Sequence, residues 1–259
     1  MTAAAAKRLP PFFDWVALET IDSTSDEAKR RAKAGAPAGL LVTARRQTAG
    51  RGRHQRVWQS AEGNLFASLV LRPACTPAKA AELSFVTAVA VADAIAVYVG
   101  PGQPIRCKWP NDVLIGGKKA AGILLEAEPK GSAVDFVVVG IGVNLIAHPD
   151  GVPYPATDLA AAGAGTVDPD SFLIWLVARF LARHEEWESR GFAATRAAWL
   201  ERAAGLGGDI VIELPGETLS GRFATIDPTG ALVLEAGGTA RTISAGDVHF
   251  GPARTPQRV

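Results

Sequence analysis

Apolar positions in this chain recur at two spacings, and those spacings divide it into predicted elements. Leu40 to Ala44 and Leu65 to Leu71 are short apolar runs of strand length, the second closed by Pro73. Thr24-Ser25-Asp26-Glu27 has the form of a capping box, with Glu27 three residues after Thr24, and Gly35 marks the end of the helix it opens. Pro77 predicts the start of a long helix running to about Val99 and stopped by Gly100-Pro101. Ile105 to Trp109 predicts a strand broken by Pro110. Val113 to Ile115 and Ala121 to Glu126 then predict a hairpin about Gly116-Gly117, residues that suit positive φ. Val134 to Leu145 is nearly continuous in apolar character, as expected of a central strand covered on both faces. Residues 170–204 return to the helical period, with Trp175, Leu176, Phe180, Trp187, Phe192 and Trp199 predicted to pack.

Near Leu206 the pattern changes. Asp209 to Leu214, Leu219 to Ile226, Ala231 to Glu235 and Ala240 to Ile243 predict short strands, with turns at Pro215-Gly216, Asp227-Pro228-Thr229-Gly230 and Gly237-Gly238. This predicts a small all-β module, a barrel of SH3-like size. The division expected is 1–205 and 206–259, with an α+β fold class for the larger part.

With 259 residues the chain is long enough for a sizeable core, and 48% apolar with 20% charged residues is the balance of a folded globular protein. The net charge of +1 supplies no global basic field, which argues against a nucleic-acid or anionic-membrane partner. Positive charge is instead local to residues 45–56, which suits a small anionic ligand. Cys75 and Cys107 show no metal-ligand or C-x-x-C spacing and read as buried thiols. Residues 1–11 lack the apolar core of a secretory signal, and the Leu83 to Val99 run is broken by Asp93. A cytoplasmic protein is expected.

The candidate chemistry begins at Gln47-Thr-Ala-Gly50-Arg51-Gly52-Arg53-His54-Gln55-Arg56-Val57-Trp58, a segment with four basic side chains, two glycines and no acid. Glycine lets backbone N–H groups approach an anion, and arginine adds planar donors of permanent charge. An arginine-rich surface turn and a disordered nucleic-acid patch are the other readings of such a loop. Lys118 and Lys119 follow a tight turn; they are either a solvated pair or, for Lys119, a charge held on a strand beside the arginines. In Lys108-Trp109-Pro110-Asn111-Asp112, Asn111 offers an amide for an adenine-like edge and Asp112 a carboxylate for Mg²⁺ or a ligand amine. The same pair would serve as the polar residues of an ordinary turn. Gly140-Ile-Gly142-Val-Asn144 lacks the third glycine and the following helix of a dinucleotide site, and no P-loop or nucleophile elbow occurs. His54, His148, His184 and His249 are scattered, and no metal ligands are assigned.

Taken in order, Asp22-Ser23-Thr24-Ser25, the loop from Gln47 to Trp58, Lys108 to Asp112, Lys119-Ala-Ala-Gly122-Ile-Leu124 and Gly140 to Leu145 resemble the biotin–protein ligases. The likeness spans roughly residues 15–250. It implies a mixed β-sheet catalytic domain of the biotin/lipoate ligase type packed with helices, followed by the small β module. It also implies two steps: biotin and MgATP give biotinyl-5′-AMP, and a lysine of a biotin carboxyl carrier protein then displaces AMP. Carried over by position, Ser23, Thr24 and Ser25 would line the biotin pocket with Gln47. Gly50, Arg51, Gly52 and Arg53 would form the loop that closes over biotin and phosphate, and Trp58 would wall off the ligand. Lys119 would contact the biotin carboxylate and the α-phosphate, sharing the catalytic charge with Arg51 and Arg53. Gly122 and Gly142 would allow close backbone approach, and Asn111 and Asn144 would lie on the adenylate side.

There are departures from the family pattern. Gln55 stands where the loop usually has glycine, removing one φ > 0 option, and Ser25 stands where asparagine is common. The stretch before the catalytic region is too short for the helix-turn-helix of repressor-type members, so no operator binding is expected. The family often self-associates through its sheet, which implies a homodimer. A lipoate or octanoate ligase or transferase of the same superfamily and a nucleic-acid-binding module are the alternatives weighed.

Overall fold

The structure, a computed structural model, describes residues 9–250. The expectation drawn from the first eleven residues therefore falls largely outside the described range.

Strand alternation builds a two-sided sheet. Its elements are β1 (Asp14–Ile21), β2 (Leu40–Gln47), β3 (Leu65–Leu71), β4 (Ile105–Lys108), β5 (Asp112–Ile115), β6 (Lys118–Lys130) and β7 (Ala133–Val143). They lie in the order β1-β2-β3-β7-β6-β5-β4. The β1–β2 pair is parallel and the rest antiparallel, so the sheet is mixed as expected. Successive residues point to opposite faces. Val42, Val70, Phe136 and Val138 therefore turn to one side, against Ala28 and Ala32 of helix α1 (Thr24–Lys33). Leu41, Leu69, Leu71, Val137 and Val139 turn to the other, into the main core with α3 (Leu83–Ala96) and α4 (Pro169–Arg190). The continuous apolar run of β7 is explained by this: it is central and covered on both faces.

Several predicted boundaries move. Ser23, not Thr24, caps α1, its hydroxyl accepting from the Asp26 backbone N–H. The long helix from Pro77 is two helices, α2 (Pro77–Ala81) and α3, meeting at Glu82, whose carboxylate accepts from Trp187 Nε1 at 2.6 Å. Gly191, at φ +73°, likewise splits the later helical region into α4 and α5 (Phe192–Leu200). The sequence pattern missed β1 because an edge strand with one neighbour leaves half its residues toward solvent and needs no apolar run. Gly116 and Gly117 take φ +56° and +80°, the turn expected between β5 and β6.

The second sheet holds β8 (Asp209–Leu214), β9 (Glu217–Ile226), β10 (Leu232–Ala236), β11 (Thr239–Ile243) and β12 (Asp247–Phe250), all antiparallel in the order β11-β10-β9-β8-β12. This corrects the barrel expectation. Among the described residues no ladder joins β11 to β12, and a barrel requires that closing ladder. Residues Thr239 to Thr242 of β11 are solvent-exposed, as befits an edge.

The two sheets are packed together. Trp199 of α5 is fully buried and meets Phe85 of α3 at 5.4 Å and Phe223 of β9 at 6.5 Å, both edge to face. Trp109 Nε1 donates to the Gly230 carbonyl at 3.0 Å. The Cys107 backbone exchanges hydrogen bonds with Arg202 and Ala204, each 2.8 Å, so the chain approaching the second sheet runs along the β4 edge of the first. Cys107 is fully buried there, and burial pushes its thiol up to about 12, leaving it protonated and inert. Trp199→Ala would empty this joint and is expected to cost about 3–5 kcal/mol. A urea unfolding midpoint indistinguishable from that of the parent protein would show that Trp199 does not join the sheets.

Candidate active site

The five motif-bearing segments, joined by Phe66, Tyr154 and Asp247, meet at one cleft of about 770 Å³, open to solvent at its mouth. Its inner end is built from hydroxyls and an amide. Gln47 Oε1 accepts from Thr24 N at 2.8 Å and Thr24 Oγ1 at 3.1 Å, while its Nε2 donates to Ser60 Oγ at 3.1 Å. Ser68 Oγ donates to Thr24 Oγ1 at 2.9 Å and lies 3.0 Å from Ser25 Oγ. Ser23, Thr24, Ser25 and Ser68 are all buried, so their polar atoms face one another and the cavity instead of bulk water.

The floor is bare backbone. Gly122 of β6 and Gly142 of β7 are direct partners across the ladder. The Trp58 ring lies over both: a Cβ at Gly142 would stand 2.6 Å from Trp58 Cζ2, and one at Gly122 2.8 Å from Trp58 Cζ3. Neither glycine needs positive φ; each is required by close approach.

Cations ring this floor, and each has a carboxylate. Lys119 Nζ is 2.7 Å from Asp112 Oδ1 and lies over the rings of Trp58 (5.6 Å) and Tyr154 (5.1 Å). Arg51 reaches Asp26 at 2.6 Å and Glu126 at 2.8 Å. Burial opposes its charge, yet Glu126 and Asp26 outweigh that and raise its pKa. Arg53 donates to Asn111 Oδ1 at 3.2 Å, and Asn111 Nδ2 in turn donates to the Ile123 carbonyl at 2.7 Å. Burial lowers the Arg53 pKa, against the pull of Asp247 and Asp112. Arg56 pairs with Asp247. Four cationic and two anionic side chains line the cleft, an arrangement suited to an anion of more than one charge.

The arginine loop is held in an unusual shape. Gly52 N donates to the Arg56 carbonyl at 2.7 Å, and between them His54 and Gln55 both adopt left-handed backbone, φ +53° and +59°. The expectation that Gln55 would forgo positive φ is corrected: it takes that conformation despite its side chain. Left-handed backbone costs a residue with a Cβ about 1–2 kcal/mol, which the surrounding bonds must offset.

Of the predicted site residues, Ser23, Thr24, Ser25, Gln47, Arg51, Gly52, Arg53, Trp58, Asn111, Asp112, Lys119, Gly122 and Gly142 line this cleft. Gly50 and Asn144 do not. Gly50 lies under the loop, its carbonyl accepting from Trp58 N at 2.9 Å, where a Cβ would strike Ser60. Asn144 lines a second cavity of about 360 Å³ that shares Trp58, Lys119 and Tyr154 with the first, and its Nδ2 donates to the Thr157 carbonyl at 3.0 Å. Sequence reasoning missed Phe66, Tyr154 and Asp247 as lining residues. Phe66 reads as ordinary strand core, Tyr154 lies in an unpatterned loop, and Asp247 comes from the second sheet. Among the described residues no group of three or more His, Cys, Asp or Glu is arranged to hold a metal. No helix among them is long and apolar enough to cross a membrane.

Comparison with known proteins accounts for this geometry. Residues 17–144 match the model of the biotin/lipoate A/B protein ligase family, and residues 205–251 match the biotin protein ligase C-terminal domain. The biotin–[acetyl-CoA-carboxylase] ligase of Paracoccus denitrificans is 42% identical, over 90% of this chain and 99% of that one. The chain belongs to the biotin protein ligase family. The Mycobacterium tuberculosis enzyme named biotin–[acetyl-CoA-carboxylase] ligase is 36% identical over 87% of this chain and 85% of its own length. Among solved structures, the Aquifex aeolicus biotin protein ligase in complex with biotin and ATP superposes with a TM-score of 0.78 at 25% identity, covering 91% of this chain and 97% of that one. The mixed sheet and the small antiparallel sheet are thus the architecture of biotin protein ligases.

Gly142→Ala is expected to push the Trp58 indole off the floor and into water. A red shift in tryptophan emission, absent when the same change is made in a Trp58→Phe background, would register it. Identical spectra would mean that the ring does not rest on the glycine pair.

Proposed function

We propose that this protein activates biotin with ATP and transfers it to a lysine of a biotin carboxyl carrier protein domain, such as that of acetyl-CoA carboxylase. The observation that carries this reading is the convergence of Arg51, Arg53 and Lys119 on one cleft with a glycine floor. In the first step a biotin carboxylate oxygen bonds to the α-phosphorus of ATP, and the bond from that phosphorus to pyrophosphate breaks. In the second a neutral lysine amine bonds to the acyl carbon, AMP departs with the electrons of the acyl–oxygen bond, and the new amide loses a proton. Negative charge builds on phosphoryl and acyl oxygens in turn, so cations fixed in place beforehand serve both steps.

Ser23, Thr24, Ser25 and Gln47 are assigned to the polar ring of biotin, supported by their buried hydroxyl and amide network. Lys119 is assigned to the carboxylate and α-phosphate, Arg51 and Arg53 to the phosphate, and Trp58 to covering the ligand. Gly50 and Gly52 shape the loop around these arginines. Asn111 and Asn144 are assigned to the nucleotide side, and the second cavity beside Asn144 supports a place for the base. The donor set fits a Mg²⁺ that arrives on ATP, since such ions need only one or two protein carboxylates besides phosphate and water. Asp112 would hold it, and the ion would neutralise charge on the phosphates. A cytoplasmic location, a division at 205/206 and a homodimer joined through the sheet complete the proposal; the start of the second sheet at Asp209 supports the division and the edge position of β1 supports the dimer.

Incubation with biotin and MgATP is expected to yield biotinyl-5′-AMP by mass spectrometry, and lipoate or octanoate in its place is expected to yield no adenylate. A preference for either of those acids would move the protein to the other branch of the superfamily. Lys119→Ala is expected to slow adenylate formation about 10²–10³-fold while biotin binding survives in part. Unchanged pyrophosphate release by that variant would refute the role given to Lys119.

A further inference from the structure

The exposed end of the arginine loop is met by the second sheet. His54, Gln55, Arg56 and Val57 are exposed, and the turn they form carries two consecutive left-handed residues. Such a turn persists only when its surroundings over-determine it. Within the loop the backbone supplies the Gly52–Arg56 hydrogen bond and a bridge between Arg51 and Val57. On the large-sheet side Arg51 is held by Asp26 and Glu126, and Arg53 donates to Asn111; the exposed end of the turn is tied by β12 and the residue before it. Asp247 pairs with Arg56 and lies 3.9 Å from Arg53, and the Gly246 carbonyl accepts from Arg53 Nη1 at 3.5 Å.

Asp247 is well placed to act as the fixed member of this contact. It stands at the first position of β12, opposite Glu213 in the ladder with β8, and the next residue, Val248, is buried in the core. Its own side chain is only 21% exposed, against 61% for Arg56. Burial works against its charge, but Arg56 and Arg53 prevail and hold its carboxyl below the usual carboxylate range. Asp247 also lines the cleft itself. A strand anchored in one sheet thus grips the exposed loop that lines the cleft beside the other.

We infer that Asp247 is a positioning residue: from the second sheet it holds Arg53 and Arg56 over the cleft and so governs how long the acyl-adenylate is retained. The second half of this inference rests on the ligase reading; the first does not. With the carboxylate in place, Arg53 is oriented toward Asn111 and the phosphate side before any ligand arrives, which lowers the ordering cost of closure. Without it, two guanidinium groups on a strained turn repel, and the loop samples open states from which a labile intermediate escapes or meets water.

Two measurements test this on the full chain. Hydrogen–deuterium exchange of residues 51–58 in the ligand-free protein is expected to quicken in Asp247→Asn and to return toward the parent rate in Asp247→Glu, which keeps the carboxylate. Release of preformed biotinyl-5′-AMP, followed by chase with unlabelled biotin, is expected to quicken about tenfold in Asp247→Asn, about the effect of losing one charge-assisted hydrogen bond. Arg56→Gln breaks the same pair from an exposed side chain, so a folding defect at position 247 would not block the test. Unchanged loop exchange in both variants overturns the contact. Faster exchange with unchanged adenylate release overturns the positioning role. Parent protein that forms no adenylate overturns the ligase reading instead, with the exchange result still deciding the contact.

Discussion

Charge compensation is the constraint on which the cleft depends. Two like charges 4 Å apart near a protein surface repel by about 4 kcal/mol at an effective dielectric of 20, and this cleft gathers Arg51, Arg53, Arg56 and Lys119 around one space. Each is tolerated because an acid is built beside it: Asp26 and Glu126 for Arg51, Asp247 for Arg56 and Arg53, Asp112 for Lys119. Glu126 is shared further with Lys29, at 2.8 Å. Only two of those acids, Asp112 and Asp247, line the cleft, so an anionic ligand meets four cations against two carboxylates.

The same pairing sets the chemistry. A cation already fixed by a carboxylate needs little reorganisation when phosphate charge develops nearby. Lys119 is the clearest case, since Asp112 and the rings of Trp58 and Tyr154 leave its long chain few alternatives. The Gly122–Gly142 pair then matters as much as the charges, for it admits a flat ring or ligand against backbone that any side chain would block. Arg53 stands apart, because its ties run to Asn111 of the large sheet's connection and to Gly246 and Asp247 of the small sheet. The two sheets therefore share the site, beyond sharing the core around Trp199.

Much of this molecule was legible along the chain. β3 fell where the Leu65 to Leu71 run put it, the Gly116-Gly117 turn took the predicted backbone, and the apolar stretch ending near Val143 is the central strand. These features rest on side-chain period and turn chemistry, which act over a few residues. The errors were of another kind. β1 was invisible because an edge strand needs no apolar run, the small sheet was expected to close and does not, and Gln55 takes a backbone its residue type disfavours.

By itself, then, the sequence determined the succession of elements, the glycines that keep a floor clear, and the order of basic and amide residues that marks the family. Which acid faces which base was decided only by the tertiary structure. Arg51 meets Glu126 and Arg56 meets Asp247 across long stretches of chain, and only the strand order and the packing of the sheets bring them within reach. The reason is one of range. Hydrophobic period and φ preference are properties of neighbouring residues, whereas an ion pair across a cleft exists only after the backbone has fixed the distance between its two ends.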